Sequence, residues 1–280
     1  MADGGILAEG ATSLAAANWS DATGFAANAR LVINKGSQSI QTALDQSASG
    51  AINRLDVREG FSGIIGGTGG SMIFAPDADA NNTFTAPSID IPETRFRYWA
   101  SGGQCWAQGS GANALNSLQV ATGGTLNWTG GEVNRVELMA GTLNYSASAL
   151  FGAAAVWYQG GGAGFVDTHA SDVLPTIHLV GGSLRVRRTM TTLNVYGGSM
   201  VIDTDALAIT TINIYGGTVT PVTVGAITNL NIYGGTLDWS RCTRVGAITN
   251  TLSMDGARVI PNPIVNYGTI TPINGGADGM

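Results

Sequence analysis

Charge is the first thing this sequence is short of. Only 11% of its 280 residues are Asp, Glu, Lys or Arg, against about 25% in an ordinary soluble domain, and Lys35 is its only lysine. At a net charge of −6 it has none of the clustered positive charge that grips phosphate, which argues against a nucleic-acid partner. Long apolar runs are missing too. No stretch approaches the roughly 18 apolar residues a membrane helix needs, so no membrane partner is expected. The opening "MADGGILAEG" has neither the basic start nor the apolar stretch of a secretory signal, and the expectation is use without Sec export. Cysteine is limited to Cys105 and Cys242, far apart and without CxxC spacing, which suggests neither a disulfide framework nor a zinc site. Both read as small buried hydrophobes. Nucleotide motifs are absent: "GGTGG" from Gly66 and "GGGAG" from Gly160 do not complete GxGxxG or open a helix, so no cofactor is expected.

Glycine is abundant instead, at 41 residues, roughly double the usual share of about 7%. With Ser, Thr and Asn it replaces charge as surface material, which points to many short strands joined by tight turns. The glycines are ordered. "LNVYGGSMVI" from Leu193 returns as "INIYGGTVTP" from Ile212 and "LNIYGGTLDW" from Leu230. Aligning on the glycines adds "LQVATGGTLNW" from Leu118, "VELMAGTLNY" from Val136, "IHLVGGSLRV" from Ile177 and "LSMDGARVIP" from Leu252. Copies start 16 to 22 residues apart, except for a gap of 41 that would hold a degenerate coil around "AVWYQGGGAGFVD". Such a period marks a solenoid.

The columns give the side-chain directions. Leu118, Val136, Ile177, Leu193, Ile212, Leu230 and Leu252 form one apolar column, and Val120, Leu138, Leu179, Val195, Ile214, Ile232 and Met254 another. Between them stand Gln119, Glu137, His178, Asn194, Asn213, Asn231 and Ser253, all polar. The period is two, so each copy is a strand with one buried side. The glycine pair makes a corner, where φ > 0 carries no Cβ penalty. A second short strand then turns Leu126, Leu143, Leu184, Met200, Val219, Leu237 and Val259 inward. The extra residue before the glycines of the copy at Leu118 reads as a bulge. Parallel stacking at about 4.8 Å lines like residues into ladders, and only stacking removes the apolar side of such a coil from water.

The expected architecture is therefore all-β, a parallel β-helix (β-solenoid) with GG-cornered coils and an irregular N-terminal arm. Residues 1–28 read as an arm that frays or lies on a neighbour. Residues 29–110 hold irregular early coils, with Leu55 and Val57, then Phe96 and Tyr98, in the inward positions, and a long Pro/Asn/Asp-rich loop over Ala75–Pro92. Residues 111–260 form the regular solenoid, and 261–280 a C-terminal cap or tail, with "PNPIVNYGTITP" from Pro261 suited to capping.

Candidate sites follow from the outward columns. Asn194, Asn213 and Asn231, with Tyr196, Tyr215 and Tyr233 beside them, form either a structural ladder or a polysaccharide-binding contact face. Arg185, Arg187 and Arg188 are expected to pair with acidic groups of a neighbouring chain. Acid-base chemistry on a polysaccharide would need paired carboxylates or a base with a neutralising partner; the candidates are Glu132, Glu137 and His178 with those arginines. Glu137 and His178 share a column but stand two coils, about 10 Å, apart, too far for a direct pair. The "DADANN" run, Asp77–Asn82, lacks the glycine and glutamate of a hand-type calcium loop, and Asp203 with Asp205 is a weaker instance; both read as solvated. His169 has no nucleophile beside it and reads as a surface histidine. No catalytic residue and no metal ligand is assigned.

The stretch "GSQSIQTALDQSASGAINRLDVREGFSGIIGG", Gly36 to Gly67, resembles a segment of structural proteins of tailed bacteriophages. In these a "LDQSA" box, here Leu44 to Ala48, precedes a strand and a "GFSGxIG" turn, here Gly60 to Gly66. The resemblance covers about a tenth of the chain. It implies a virion component, most simply a non-enzymatic capsid decoration or cement protein, homotrimeric and bound to capsid or tail subunits. The alternatives are a receptor-binding fibre or tailspike gripping surface polysaccharide, and a polysaccharide lyase or hydrolase.

Overall fold

The computed structural model describes residues 5–21, 24–26, 29–67, 70–76, 94–110, 114–169, 171–204, 208–254, 256–266 and 269–273. The long loop expected over Ala75–Pro92 lies almost wholly outside them, as do Asp77–Asn82, Asp205 and the last seven residues. Among the described residues there is no α-helix, only the 3₁₀ turn Ala16–Asn18. The fold is a parallel β-solenoid of about ten turns.

Two compact units are present, Met1–Gly152 and Ala153–Met280. The expected boundary near residue 110 lies inside the first of these units. Leu118 and Val136 continue the column of Leu31, Leu55 and Phe96 on successive parallel strands, so the onset of regular spacing is no break in the core.

In the N-terminal unit the strands Ala29–Gly36, Ala51–Phe61, Arg95–Tyr98 and Ser117–Val120 stack in parallel below the end of Thr125–Leu138. Their two inward columns, Leu31, Leu55, Phe96, Leu118, Val136 and Ile33, Val57, Tyr98, Val120, Leu138, are all buried. Aromatics pack in the interior of these coils: Phe74, Phe96 and Trp128 have ring centres 5.8 to 6.1 Å apart.

The expectation that the N-terminal arm frays or lies on a neighbour is overturned for its described part. The main chain of residues 5–14 adds to the first coil, with Leu7 N–H donating to Val32 O (3.0 Å), Val32 N–H to Gly5 O (3.1 Å) and Leu14 N–H to Thr42 O (3.2 Å). Leu7, Leu14, Trp19 and Phe25 are buried within the chain itself, and Trp19 meets Phe25 edge to face at 5.6 Å. The arm pairs an edge that would otherwise recruit strands.

In the C-terminal unit the strands Val173–Leu179, Thr189–Val195, Ile209–Ile214 and Ile227–Ile232 stack in exact column order: Trp157, Ile177, Leu193, Ile212, Leu230 inward and Tyr158, His178, Asn194, Asn213, Asn231 outward. The degenerate coil is present. Gly164 stands where later coils have Leu184 and Met200, and a Cβ there would come within 2.9 Å of Trp157, so the missing side chain makes room for the indole.

The corners show two separate needs for glycine. Gly198 and Gly217 have φ of +75° and +72°, and a Cβ on either would sit 2.5 Å from the carbonyl oxygen of the glycine one coil below. Gly197 and Gly216 lack positive φ but would bring a Cβ equally close to the oxygens of Val180 and Tyr196. The expected need for φ > 0 thus applies to the second glycine; close stacking requires the first. At the corner with an extra residue, Thr122 takes the left-handed conformation instead, at φ 69°.

Two expectations near the end are corrected. In Ile248–Met254, Thr251 stands opposite Leu230 and Leu252 opposite Asn231; Thr251 is buried and Leu252 half-buried. Glycine alignment displaces this strand by one, because the sequence carries one residue more between Ser253 and Arg258 than between their partners Ile232 and Thr236 one coil below. The segment expected as a cap contains a further coil strand, Thr269–Ile273, parallel to Ile248–Met254. Asn262 fastens the chain between them, its amide donating to Trp239 O (3.1 Å) and Cys242 O (3.0 Å).

Candidate functional site

Of the two readings of the Asn/Tyr face, the geometry carries the ladder. The Asn213 amide donates to Asn194 Oδ1 and the Asn231 amide to Asn213 Oδ1, each at 2.8 Å. Identical spacing places each amide above the last, so donor meets acceptor along the stack. The tyrosines follow the same rule: Tyr196 and Tyr215 stack at 5.0 Å and 5°, Tyr215 and Tyr233 at 4.9 Å and 8°. His178 extends the pile below Tyr196 at 6.3 Å. Burial within the pile, then the neighbouring hydroxyls, raise the Tyr215 pKa. Stacking a sugar requires an open ring face. Here the inner faces cover one another, and the pile offers edges.

The arginine cluster is also self-contained. The expectation that Arg185, Arg187 and Arg188 await a neighbour's acids is overturned: Arg185 pairs with Asp203, Arg187 with Asp167 (3.3 Å), and Arg188 with Asp172 (2.7 Å). Arg188 is buried, and its Nε donates to Asp167 O at 3.2 Å. The hydrogen bond from Arg185, and secondarily that from Thr223, hold the Asp203 carboxyl below its ordinary pKa. Sequence spacing missed these pairs because the acids lie 16 to 20 residues away, one coil along the chain.

The acid-base candidates are held by neighbours in their own units. Glu137 accepts from Gln119 Nε2 (2.8 Å) and pairs with Arg135, while His178 lies against Tyr196. His169 Nδ1 accepts from the main-chain N–H of Asp172 (2.9 Å) and Ser171 (3.3 Å), as a satisfied loop histidine does. Among the described residues no three His, Cys, Asp or Glu side chains are grouped to hold a metal. Both cysteines are buried free thiols, and burial pushes their pKa values up, away from nucleophilic thiolate.

A different site went unread in the sequence. The period that turns Leu55 and Val57 inward turns Arg54 and Asp56 outward, and one coil later Arg95 and Arg97 flank Phe96 in the same way. Arg30, Arg54 and Arg95 are thereby neighbours on successive strands, as are Asp56, Arg97, Gln119 and Glu137. Beside them opens a pocket of about 380 Å³ lined by Arg54, Asp56, Arg58, Glu59, Arg97 and Trp99 together with Asn34. Arg54 grips Asp56 with Nε at 2.9 Å from both carboxylate oxygens. Arg97 Nε donates to Gln119 Oε1 (2.8 Å), and its guanidinium lies 4.9 Å from the Trp99 ring centre. "RLDVRE" and "RFRYW" carried the signal, since charges alternating with inward residues on stacked strands must share a face.

No family model, curated protein or solved structure matches this chain.

Proposed function

We propose that this chain is a structural component of a tailed-bacteriophage virion, a non-enzymatic homotrimeric solenoid that decorates the shell and stabilises it by burying surface on neighbouring subunits. The observation that carries the reading is the closure of the regular coils' outward groups on one another. Catalysis needs an acid, base or nucleophile aimed at a substrate, whereas Asn213, Tyr215, Arg187 and Glu137 are each engaged by a neighbouring coil or strand. Side chains fixed in this way suit a surface whose role is shape, and a subunit that binds only the assembled shell stabilises it by mass action. Since the described arm covers its own first coil, the contacting surfaces in this proposal are the outward sheets. The phage-like segment Gly36–Gly67 supplies the virion context.

Light scattering on the purified chain, with co-sedimentation on isolated phage shells, tests the proposal. A trimer that sediments with shells and raises their disruption temperature is expected. A species without affinity for shells that cleaves a surface polysaccharide would overturn it.

A further inference from the structure

The Arg54–Arg97–Trp99 pocket has a charge arrangement that the ladders lack. Three arginines face two carboxylates across it, and the bidentate Arg54–Asp56 pair neutralises one of each. Arg58 and Glu59 are exposed at the rim. Arg97 is different: it is half-buried and, among the described residues, makes no ion pair within 4.0 Å, its side chain meeting Gln119 and the indole of Trp99. Burial, then the nearby charges of Arg95 and Arg54, lower its pKa, so its positive charge is held at a cost an anion would relieve.

We propose that this pocket binds a small hydroxylated carboxylic acid of the sugar-acid class. The arginine excess of one matches a single negative charge. A phosphate dianion would meet Asp56 and Glu59 and gain less. Guanidinium groups bind carboxylate by charge-assisted, often paired hydrogen bonds. The Glu59 carboxylate and Asn34, which also line the pocket, offer oxygens that accept from hydroxyls, which a simple carboxylate such as acetate does not carry. Trp99 flanks the site with an apolar ring, and the volume falls in the range of small-ligand sites, about 300 to 1,000 Å³. The inference does not depend on the virion reading, and its test needs no shell.

Titration calorimetry and saturation-transfer NMR on the full chain would use glucuronate, galacturonate and N-acetylneuraminate as probes, with glucose, acetate and inorganic phosphate as comparators at equal ionic strength. At least one sugar acid should bind about 10-fold tighter than every comparator, and more weakly as salt rises. Arg97→Gln and Arg58→Gln should each reduce that affinity about 10-fold, while Tyr215→Ala leaves it unchanged. Arg58 is exposed, so its variant reads the pocket even if Arg97→Gln folds poorly. Binding by none of the sugar acids, equal binding of glucose, acetate or phosphate, or full affinity in Arg58→Gln and Arg97→Gln would overturn the proposal.

Discussion

The coils of Ala153–Met280 and those of Met1–Gly152 bury apolar columns by the same alternation, yet the outward column between those apolar ones is finished differently in each. In the C-terminal unit the repeated residue meets itself: amide on amide at Asn194, Asn213 and Asn231, ring on ring at Tyr196, Tyr215 and Tyr233. Each hydrogen-bonding or stacking group is answered by a copy of itself one coil away. In the N-terminal unit the column changes character at every step, from Val32 to Asp56, Arg97, Gln119 and Glu137. These unlike neighbours leave Arg97 without an ion pair within 4.0 Å among the described residues. Repetition therefore makes a closed surface, and departure from it leaves a site.

The largest expected effect breaks the regular coils. Gly217→Val puts a Cβ 2.5 Å from Gly198 O at a φ of +72° and should cost at least about 3 kcal/mol in urea unfolding. Gly256 has a similar φ, +88°, with nothing within 4 Å, so Gly256→Ala should cost only about 1 kcal/mol. Equal losses would show that φ alone sets the corners.

Next comes the buried arginine. Arg188→Ala leaves Asp172 without its 2.7 Å partner and Asp167 O without a donor, and should destabilise by about 3 kcal/mol, measured as a denaturation midpoint. Ladder variants are smaller. Asn213→Ala removes two amide bonds at a half-buried position and should cost about 1 kcal/mol. Gln119→Ala, which cuts the link from Arg97 to Glu137, should cost about the same, and unlike Asn213→Ala it should alter sugar-acid binding.

The smallest effect depends on pH. Asp203 has its pKa lowered in the fold, chiefly by Arg185, so its contribution is present above the unfolded value near 3.8 and is lost as pH falls through the folded value. Arg185 is half exposed, which limits the contribution to about 0.5 kcal/mol. Asp203→Asn should be less stable than the parent at pH 6, and the gap should shrink as pH falls below the unfolded value and on through the folded one in thermal unfolding.

Much of the fold was legible because a period-two column needs only local information. Leu193, Ile212 and Leu230 could point only inward once Asn194, Asn213 and Asn231 pointed out. Trouble came where the chain departs from its period. The extra residue of the copy at Leu118 reads as a bulge and leaves the columns in place, whereas the one between Ser253 and Arg258 displaces Leu252 and Thr251 by one position, because glycine alone anchors the alignment there. Gly164 concealed Trp157 by shrinking where its neighbours are large. The pocket was harder, since Asp56 and Arg97 are 41 positions apart and meet only through the pairing of their strands. The arginine pairs Arg187–Asp167 and Arg188–Asp172 are hidden for a different reason: each acid lies one coil away, 20 and 16 residues along the chain.

The measurement that tests the contrast most directly is hydrogen–deuterium exchange of the full chain with and without saturating sugar acid. The account predicts slowed exchange confined to the main chain around 54–60 and 95–99, with 194–233 unchanged. Protection in the Asn/Tyr coils, or none near Arg97, would contradict it.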